Sequence, residues 1–204
     1  FLSLISYLLS LTTYFYMIIV TGSIGFDYIM DFPGRFADRI MPEKIHQISL
    51  SFLVDDLKKQ WGGTAGNISY SLGLLDTRPT LVATAGNDFA PYKKFLEKNN
   101  VDTHYVKEHK DISTGSYFVI TDTSDNQIGA FYTGAMRHAK NLRLTTIFKK
   151  DSPSKDSPFV IIAPNDPGAM CQYVDECIAA KVPYLYDPAF QTDTFTPTQL
   201  KKAV

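Results

Sequence analysis

The chain lacks the features of a nucleic-acid-binding or disulfide-stabilised protein. Its 204 residues carry 20 Lys and Arg against 21 Asp and Glu, and this net charge of -1 gives no basic surface for nucleic acid. The only two cysteines, Cys171 and Cys177, have a spacing that fits neither a zinc site nor a redox pair. We therefore expect reduced thiols and a cytoplasmic protein.

Several motifs of catalysis are also missing. The chain has no Gly-Lys-Ser/Thr phosphate loop and no Gly-x-Ser-x-Gly nucleophile elbow. Its four histidines show no metal-ligand spacing. Asp55 and Asp56 are adjacent and so point in different directions, and a solvated helix start explains them better than a catalytic carboxylate pair.

The first twenty residues contain no charged side chain, a length that can span a bilayer. However, this stretch has no basic flanks, and it runs directly into MIIVTGS, which has the pattern of a buried strand. A strand of the core cannot also be the end of a membrane span. We expect residues 1–16 to be non-native or upstream sequence, the protein to begin at Met17, and no membrane insertion.

From Met17 onward, strand and helix patterns alternate. Short apolar runs typical of buried parallel strands are MIIVTGS, PTLVATAG and FVIIAPND. The alternation predicts an α/β fold with a doubly wound, mostly parallel sheet. Two segments, 26–54 and 113–134, are strand-like with alternation, and the second has a hairpin turn near Asp125-Asn126. They predict a small inserted antiparallel sheet that serves as a lid or a dimer surface.

Polar residues follow the first predicted strand in TGSIGFD. In an open α/β sheet, ligands bind beyond the carboxyl ends of the strands, and a carboxylate such as Asp27 can accept hydrogen bonds from sugar hydroxyls there. An Asx turn is the alternative interpretation of Asp27.

The stretch QWGGTAGNISYSLGLL places bare backbone at a helix start. Gly62 and Gly63 let a ligand approach the chain, and the helix N-terminus and Asn67 suit a polyhydroxyl ligand or an anion. The glycines do not directly follow a strand, so this is not a dinucleotide fingerprint. A glycine turn with a helix cap remains the alternative.

The sequence APND ends another buried strand. Asp166 followed by Pro167 predicts a helix cap, which leaves Asn165 as the better candidate for ligand contact.

Together these motifs resemble a known family. GGTAGNISYSLGLLDTRPTLVATAGND is similar to the N-terminal signature of the ribokinase-like (pfkB) carbohydrate kinases, and the similarity extends from Met17 to the end. VTGSIGFDYIMDFPGRF, ISLSFLVDDL, FYTGAM and APNDPGAM resemble the bacterial, mycobacterial-type adenosine kinases of that superfamily. The resemblance implies an α/β domain with a lid sheet that often mediates dimerisation. It also implies ATP-dependent phosphoryl transfer, with Mg²⁺, to the 5′-hydroxyl of a nucleoside.

The resemblance also implies roles for individual residues. Asp27 would bind ribose hydroxyls with Ser23 beside it, and Gly63 and Asn67 would contact the ribose while Gly62 shapes the turn. Lid residues would contact and stack on the base, and Asn165 would line the cleft. The expected base contacts are Ser51, Tyr117 and Phe131, with Phe118 as the alternative to Tyr117.

Two elements of the family pattern are absent from these residues. They are the Gly-Ala-Gly-Asp signature, which supplies the catalytic Asp, and the N-x-x-E element linked to magnesium. We expect both to lie after Val204, so that the present segment carries most of the nucleoside site, little of the ATP site and no activity by itself. A sugar kinase of the same superfamily and a non-catalytic nucleoside- or sugar-binding module are the alternatives.

Overall fold

The computed structural model describes residues 17–150 and 158–203, so the expectation for residues 1–16 lies outside the described part. The strands are β1 (Ile18–Thr21), β2 (Gly25–Asp31), β3 (Asp56–Gly62), β4 (Thr80–Ala85), β5 (Val106–Glu108), β6 (Gly115–Thr121), β7 (Gln127–Tyr132), β8 (Phe159–Ile162) and β9 (Tyr184–Tyr186). The helices are α1 (Thr64–Leu74), α2 (Ala90–Lys98), α3 (Thr145–Lys150), α4 (Pro167–Ala180) and α5 (Pro197–Ala203). Shorter 3₁₀ turns cover Phe36–Asp38, Pro42–Gln47, Gly134–Asn141 and Ala189–Thr194.

Five strands form a parallel main sheet in the order β5-β4-β1-β8-β9. The chain adds β4 and β5 on one side of β1 and later adds β8 and β9 on the other. The winding direction therefore reverses at β1, and the crevice at its carboxyl end is where open α/β sheets bind ligands. The predicted doubly wound parallel sheet is confirmed.

Apolar residues cover both faces of the main sheet. Ile19 belongs to a buried cluster with Met170 of α4, whereas the next residue, Val20, belongs to a second cluster with Ala65 of α1 and Leu96 of α2. Successive strand residues point to opposite faces, so β1 is buried on both sides. This explains why its sequence reads as a continuous apolar run.

The other four strands form a second sheet in the order β3-β2-β6-β7. The predicted antiparallel arrangement is wrong for its central pair, because β2 and β6 run parallel while β2–β3 and β6–β7 are antiparallel. After β3 the chain returns to the main sheet, and it leaves again through β6. Strands β2 and β6 therefore both run outward from the main sheet, and the second sheet is mixed.

Three local predictions need correction. The strand-like prediction for residues 26–54 holds only for β2, because residues 32–54 contain two 3₁₀ turns and are otherwise irregular. Asp56 begins β3 rather than a helix, and its carboxylate lies 2.9 Å from the Lys58 ammonium. Gly62 ends that strand, so the paired glycines do directly follow a strand. They are still not a dinucleotide fingerprint, because β3 and β4 belong to different sheets.

The predicted hairpin between β6 and β7 is confirmed, and Asp125 adopts the positive φ of 61° at its turn. Within residues 17–150 and 158–203, no helix is long and apolar enough to cross a membrane.

Candidate functional site

One row of residues crosses the second sheet from edge to edge. Asp27 on β2 pairs with Gln60 on β3 and with Tyr117 on β6, and Tyr117 pairs with Phe131 on β7. Residues directly opposite each other project to the same face of a sheet. The structure therefore brings three of the predicted site residues, Asp27, Tyr117 and Phe131, together on one face. It adds Gln60, which no sequence motif marked.

The register separates Tyr117 from its alternative, Phe118. Phe118 projects to the opposite face, where its ring stacks on Tyr28 at a centroid distance of 4.7 Å. The Tyr117 ring lies against the backbone of Gly129, where an added Cβ would stand 2.8 Å from the ring carbon Cε2. Of these two aromatic residues, Tyr117 is therefore the one on the same face as Asp27. Gly129 on β7 makes room for its ring.

The Asp27 carboxylate occupies the space that a side chain at position 62 would need. A Cβ added to Gly62 would stand 2.6 Å from Asp27 Cγ, well inside van der Waals contact. Asp27 is half-buried, and this burial raises the pKa of its carboxyl group. Among the described residues, none donates a hydrogen bond to this carboxylate or forms an ion pair with it. Asp27 is therefore an available acceptor.

Tyr92 of α2 is hydrogen-bonded to the turn at Gly62. Its side chain is buried, and its hydroxyl donates to the Gly62 carbonyl at 3.0 Å. Burial, followed by the negative charge of Asp27, raises the pKa of the Tyr92 phenol far above its ordinary value. It therefore acts as a neutral donor, and no local sequence pattern marks it because its partner lies 30 residues away.

Gly63 is required by the backbone itself. Its φ is +86°, and an added Cβ would stand 2.5 Å from the Cα of Ile24. The positive φ turns the chain from β3 into α1 while the turn presses against the segment that leaves β1. The close approach at this glycine is thus between two parts of the protein's own backbone.

Ser23 caps α1 from across the site. Its hydroxyl oxygen accepts the N–H of Thr64 at 3.0 Å, and its carbonyl accepts the N–H groups of Ala65 at 2.9 Å and Gly66 at 3.3 Å. The N–H groups at this helix start are therefore not free for the ligand or anion that the sequence pattern suggested. Because these donors are already used, the start of α1 is a weak place for an anion.

Asn67 lies one turn into α1 with an exposed side chain. It lines a cavity of about 430 Å³ between β3 and the first two helices. The remaining lining residues are Lys59, Gln60, Trp61, Tyr70, Tyr92 and Phe95. Asn67 and Gln60 thus border a common space.

The other two predicted residues, Asn165 and Ser51, are not members of this row. Asp166 caps α4 by accepting the N–H of Ala169 at 2.9 Å, as predicted. Asn165 is 1% exposed, its Oδ1 accepts the N–H of Asp166, and its Nδ2 is buried with no hydrogen-bond partner among the described residues. Ser51 is exposed in the irregular segment before β3, beside Phe52, which packs on Phe32 at 4.9 Å.

The described residues do not fit a metal centre. No group of three or more His, Cys, Asp or Glu side chains within residues 17–150 and 158–203 is arranged to hold a metal ion. The row offers one carboxylate, one amide and two aromatic rings, and Asn67 on α1 adds a second amide. Such a face binds hydroxyl groups and flat ring systems.

Comparison with known proteins finds relatives among the nucleoside kinases. The nucleoside kinase of Methanothermobacter thermautotrophicus is 26% identical over 189 residues, which are 92% of this chain and 56% of that protein. A solved structure of the Burkholderia thailandensis nucleoside kinase in complex with inosine is 32% identical, with a TM-score of 0.70 over 91% of this chain and 57% of that one. The chain thus spans a little over half the length of these relatives.

A second solved structure and a family-level match extend the comparison. The nucleoside kinase of Methanocaldococcus jannaschii, an archaeal member of the ribokinase family, shares the fold with a TM-score of 0.74 at 21% identity. The family profile described as "pfkB family carbohydrate kinase" matches residues 32–203, which is most of the chain and includes every strand from β3 to β9. The chain belongs to the pfkB family of carbohydrate kinases.

Proposed function

We propose that the complete protein transfers the γ-phosphoryl group of ATP to the 5′-hydroxyl of a nucleoside, with adenosine as the preferred acceptor. The present chain supplies the nucleoside side of the site. The row that places the Asp27 carboxylate beside two exposed aromatic rings on one face of the second sheet carries this proposal.

The carboxylate end of the row suits a ribose. An ionised carboxylate only accepts hydrogen bonds and has room for both hydroxyls of a vicinal diol. Asn67 and the backbone at Gly63 complete the ribose side in this proposal. The proposal keeps three roles that the family resemblance implies. Ser23 lies beside the diol, Gly62 shapes the turn and Asn165 lines the cleft.

The aromatic end of the row suits a nucleobase. Tyr117 is 36% and Phe131 is 52% exposed, so both rings have free surface for stacking. Neighbouring strands lie about 5 Å apart, so the strands that carry these rings lie about 5 and 10 Å from β2 across the sheet. A sugar alone would leave them without a partner, which favours a nucleoside over a free pentose. Ser51 stays a proposed base contact.

The relatives support a purine nucleoside as the acceptor and an adenine nucleotide as the donor. The structure of the Burkholderia kinase is known in complex with inosine and in complex with ADP-inosine, at 32% and 33% identity to the present chain. We infer a purine nucleoside and ATP for the present protein, with adenosine taken from the closer motif resemblance.

The chemistry requires orientation above all. The nucleoside 5′-oxygen forms a bond to the γ-phosphorus as the bond to the β,γ-bridging oxygen breaks, and the hydroxyl proton passes to a general base. In this proposal the base is an Asp outside the present 204 residues, and Mg²⁺, when bound, offsets phosphate charge. Asp27 and the two rings hold the ribose and the base, which fixes the 5′-oxygen for in-line attack. Closure of the second sheet as a lid would exclude water.

We also propose a cytoplasmic homodimer formed through the second sheet. Apolar side chains on the face opposite Asp27 support it, since Phe118, Ile128 and Tyr132 are 40%, 42% and 41% exposed. Analytical ultracentrifugation of the complete polypeptide should give twice the chain mass, and a monomer at micromolar concentration would exclude the dimer.

The test uses the complete polypeptide encoded by the gene. Calorimetry should show adenosine binding, and ATP-dependent phosphorylation should favour adenosine over ribose. Asp27→Ala should lower adenosine affinity by at least about 100-fold, because two hydrogen bonds to a charged group are lost. Phe131→Ala should weaken adenosine binding more than ribose binding. Equal use of ribose and adenosine by the unmodified protein would instead indicate a sugar kinase, and binding without phosphorylation would indicate a binding module.

A further inference from the structure

Gln60 stands directly opposite Asp27 on the neighbouring edge strand. The two residues pair in the antiparallel register of β2 and β3 and project to the same face. Opposed residues in such a pair have Cβ atoms about 5 Å apart. The Gln60 side chain therefore starts within reach of any group that Asp27 binds.

Gln60 also borders the space in front of Asn67. Both residues line the cavity of about 430 Å³ beside β3. Gln60 therefore neighbours both proposed ribose contacts, Asp27 through strand pairing and Asn67 through the shared cavity.

The neighbours of Gln60 on β3 have partners, whereas Gln60 does not. The Lys58 ammonium lies 2.9 Å from Asp56, and the Lys59 ammonium lies 3.9 Å from the centre of the Phe26 ring. In the part of the chain that the structure describes, no hydrogen bond involves the Gln60 amide, which is exposed. Its donor and acceptor are both available.

A sugar diol needs more than a carboxylate. Each hydroxyl that donates to Asp27 keeps lone pairs that must accept from another group, and a carboxylate cannot donate. The Gln60 amide carries two N–H donors, and its carbonyl can accept from a neighbouring hydroxyl. An amide next to the carboxylate therefore completes the hydrogen bonds of a hydroxyl that Asp27 alone leaves half satisfied.

We propose that Gln60 is a specificity-determining residue that donates a hydrogen bond to the ribose diol held by Asp27 and selects ribonucleosides over deoxynucleosides. The inference rests on the proposed nucleoside kinase function and adds a residue to its ribose site. Sites built to hydrogen-bond a hydroxyl reject analogues that lack it, because their polar groups then stay unpaired.

The experiment compares adenosine, 2′-deoxyadenosine and 3′-deoxyadenosine binding to the complete polypeptide by calorimetry. Gln60→Leu keeps a similar volume without hydrogen-bonding groups, and Leu57→Ala on the opposite face of β3, at an exposed residue, is the matched control. We expect Gln60→Leu to weaken adenosine binding about tenfold and to change binding of the deoxynucleoside that lacks the contacted hydroxyl less than about twofold. Leu57→Ala should leave all three affinities unchanged.

The outcomes separate this inference from the proposed function. If discrimination against either deoxynucleoside falls about tenfold in Gln60→Leu, the inference is supported and the contacted hydroxyl is identified. If Gln60→Leu melts like the unmodified protein and keeps the original ratios for both deoxynucleosides, the inference is wrong while the nucleoside site stands. If the unmodified protein binds none of the three nucleosides, the proposed function fails and the inference fails with it.

Discussion

Replacing Gly62 by Ala tests whether the glycine exists to make room for the Asp27 carboxylate. The added Cβ would stand 2.6 Å from Asp27 Cγ and 2.7 Å from Oδ1. Favourable contacts between carbon atoms begin at about 3.5 Å, so the carboxylate must move by roughly 1 Å. The backbone at position 62 has no positive φ, so the substitution strains the side chain opposite rather than its own conformation.

The expected effect is large on binding and small on folding. A displacement of about 1 Å in a positioned group can cost about 100-fold, which corresponds to about 2.7 kcal/mol of binding free energy. The carboxylate is the movable end of a half-buried side chain, and Ala restricts the unfolded chain more than Gly does. We therefore expect the free energy of unfolding to change by less than about 1 kcal/mol in Gly62→Ala.

The assay pairs nucleoside calorimetry with urea unfolding of the complete polypeptide. Gly115→Ala is the matched control, because Gly115 faces the same side of the second sheet but an added Cβ there meets only atoms at 3.3 Å or beyond. Its nucleoside affinity should stay within about twofold of the unmodified protein. If Gly62→Ala bound nucleoside normally, Asp27 would not be the ribose contact.

Three further predictions follow from the same contacts. Gly63→Ala should lower the free energy of unfolding by about 2–3 kcal/mol in urea, because its φ of +86° and the Ile24 backbone at 2.5 Å both resist a Cβ; an unchanged midpoint would contradict this. Gly129→Ala should displace the Tyr117 ring and weaken adenosine binding more than ribose binding in calorimetry, and an equal loss for both would count against base stacking. Because burial raises the pKa of Asp27, nucleoside affinity should start to fall above the ordinary carboxyl pKa as the pH is lowered. Asp27→Asn should remove this pH dependence of nucleoside affinity. It should not lower the stability at pH 7, because a carboxyl group with a raised pKa in the native state stabilises that state only at low pH, and this contribution is lost as the pH rises through the raised pKa.

The main sheet could be predicted because burial on both faces gives its strands an unbroken apolar pattern. The second sheet was predicted less well for the opposite reason. Strand β3 is an edge strand, exposed along Asp56–Trp61, and its charged residues removed the alternation that marks a half-buried strand. The parallel pairing of β2 with β6 depends on the route of the chain through the main sheet, which no local pattern records.

The candidate residues could be named from the sequence, but their arrangement could not. Asp27, Tyr117 and Phe131 were selected from separate motifs, and only the register shows that they share one row and that Phe118 does not. Gln60 was missed because its significance comes from its partner across the sheet. The cap that Ser23 provides to α1 joins residues 41 positions apart at Thr64, and helix-start patterns describe only local caps.

In the proposed function, the contacts at the start of α1 determine which substrate this part of the site binds. A phosphate group needs open N–H groups or cations, and at α1 the first-turn donors are bound to Ser23. On the facing row, the Asp27 carboxylate and the Gln60 amide have no partner among the described residues, and the carboxylate repels an anion and accepts from hydroxyls. If the proposed function holds, the electrostatics of this face favour the neutral nucleoside over the nucleotide. The glycines of QWGGTAGN contribute to nucleoside binding without contacting the ligand in this view: Gly62 leaves room for the Asp27 carboxylate, and Gly63 allows the backbone to turn next to it.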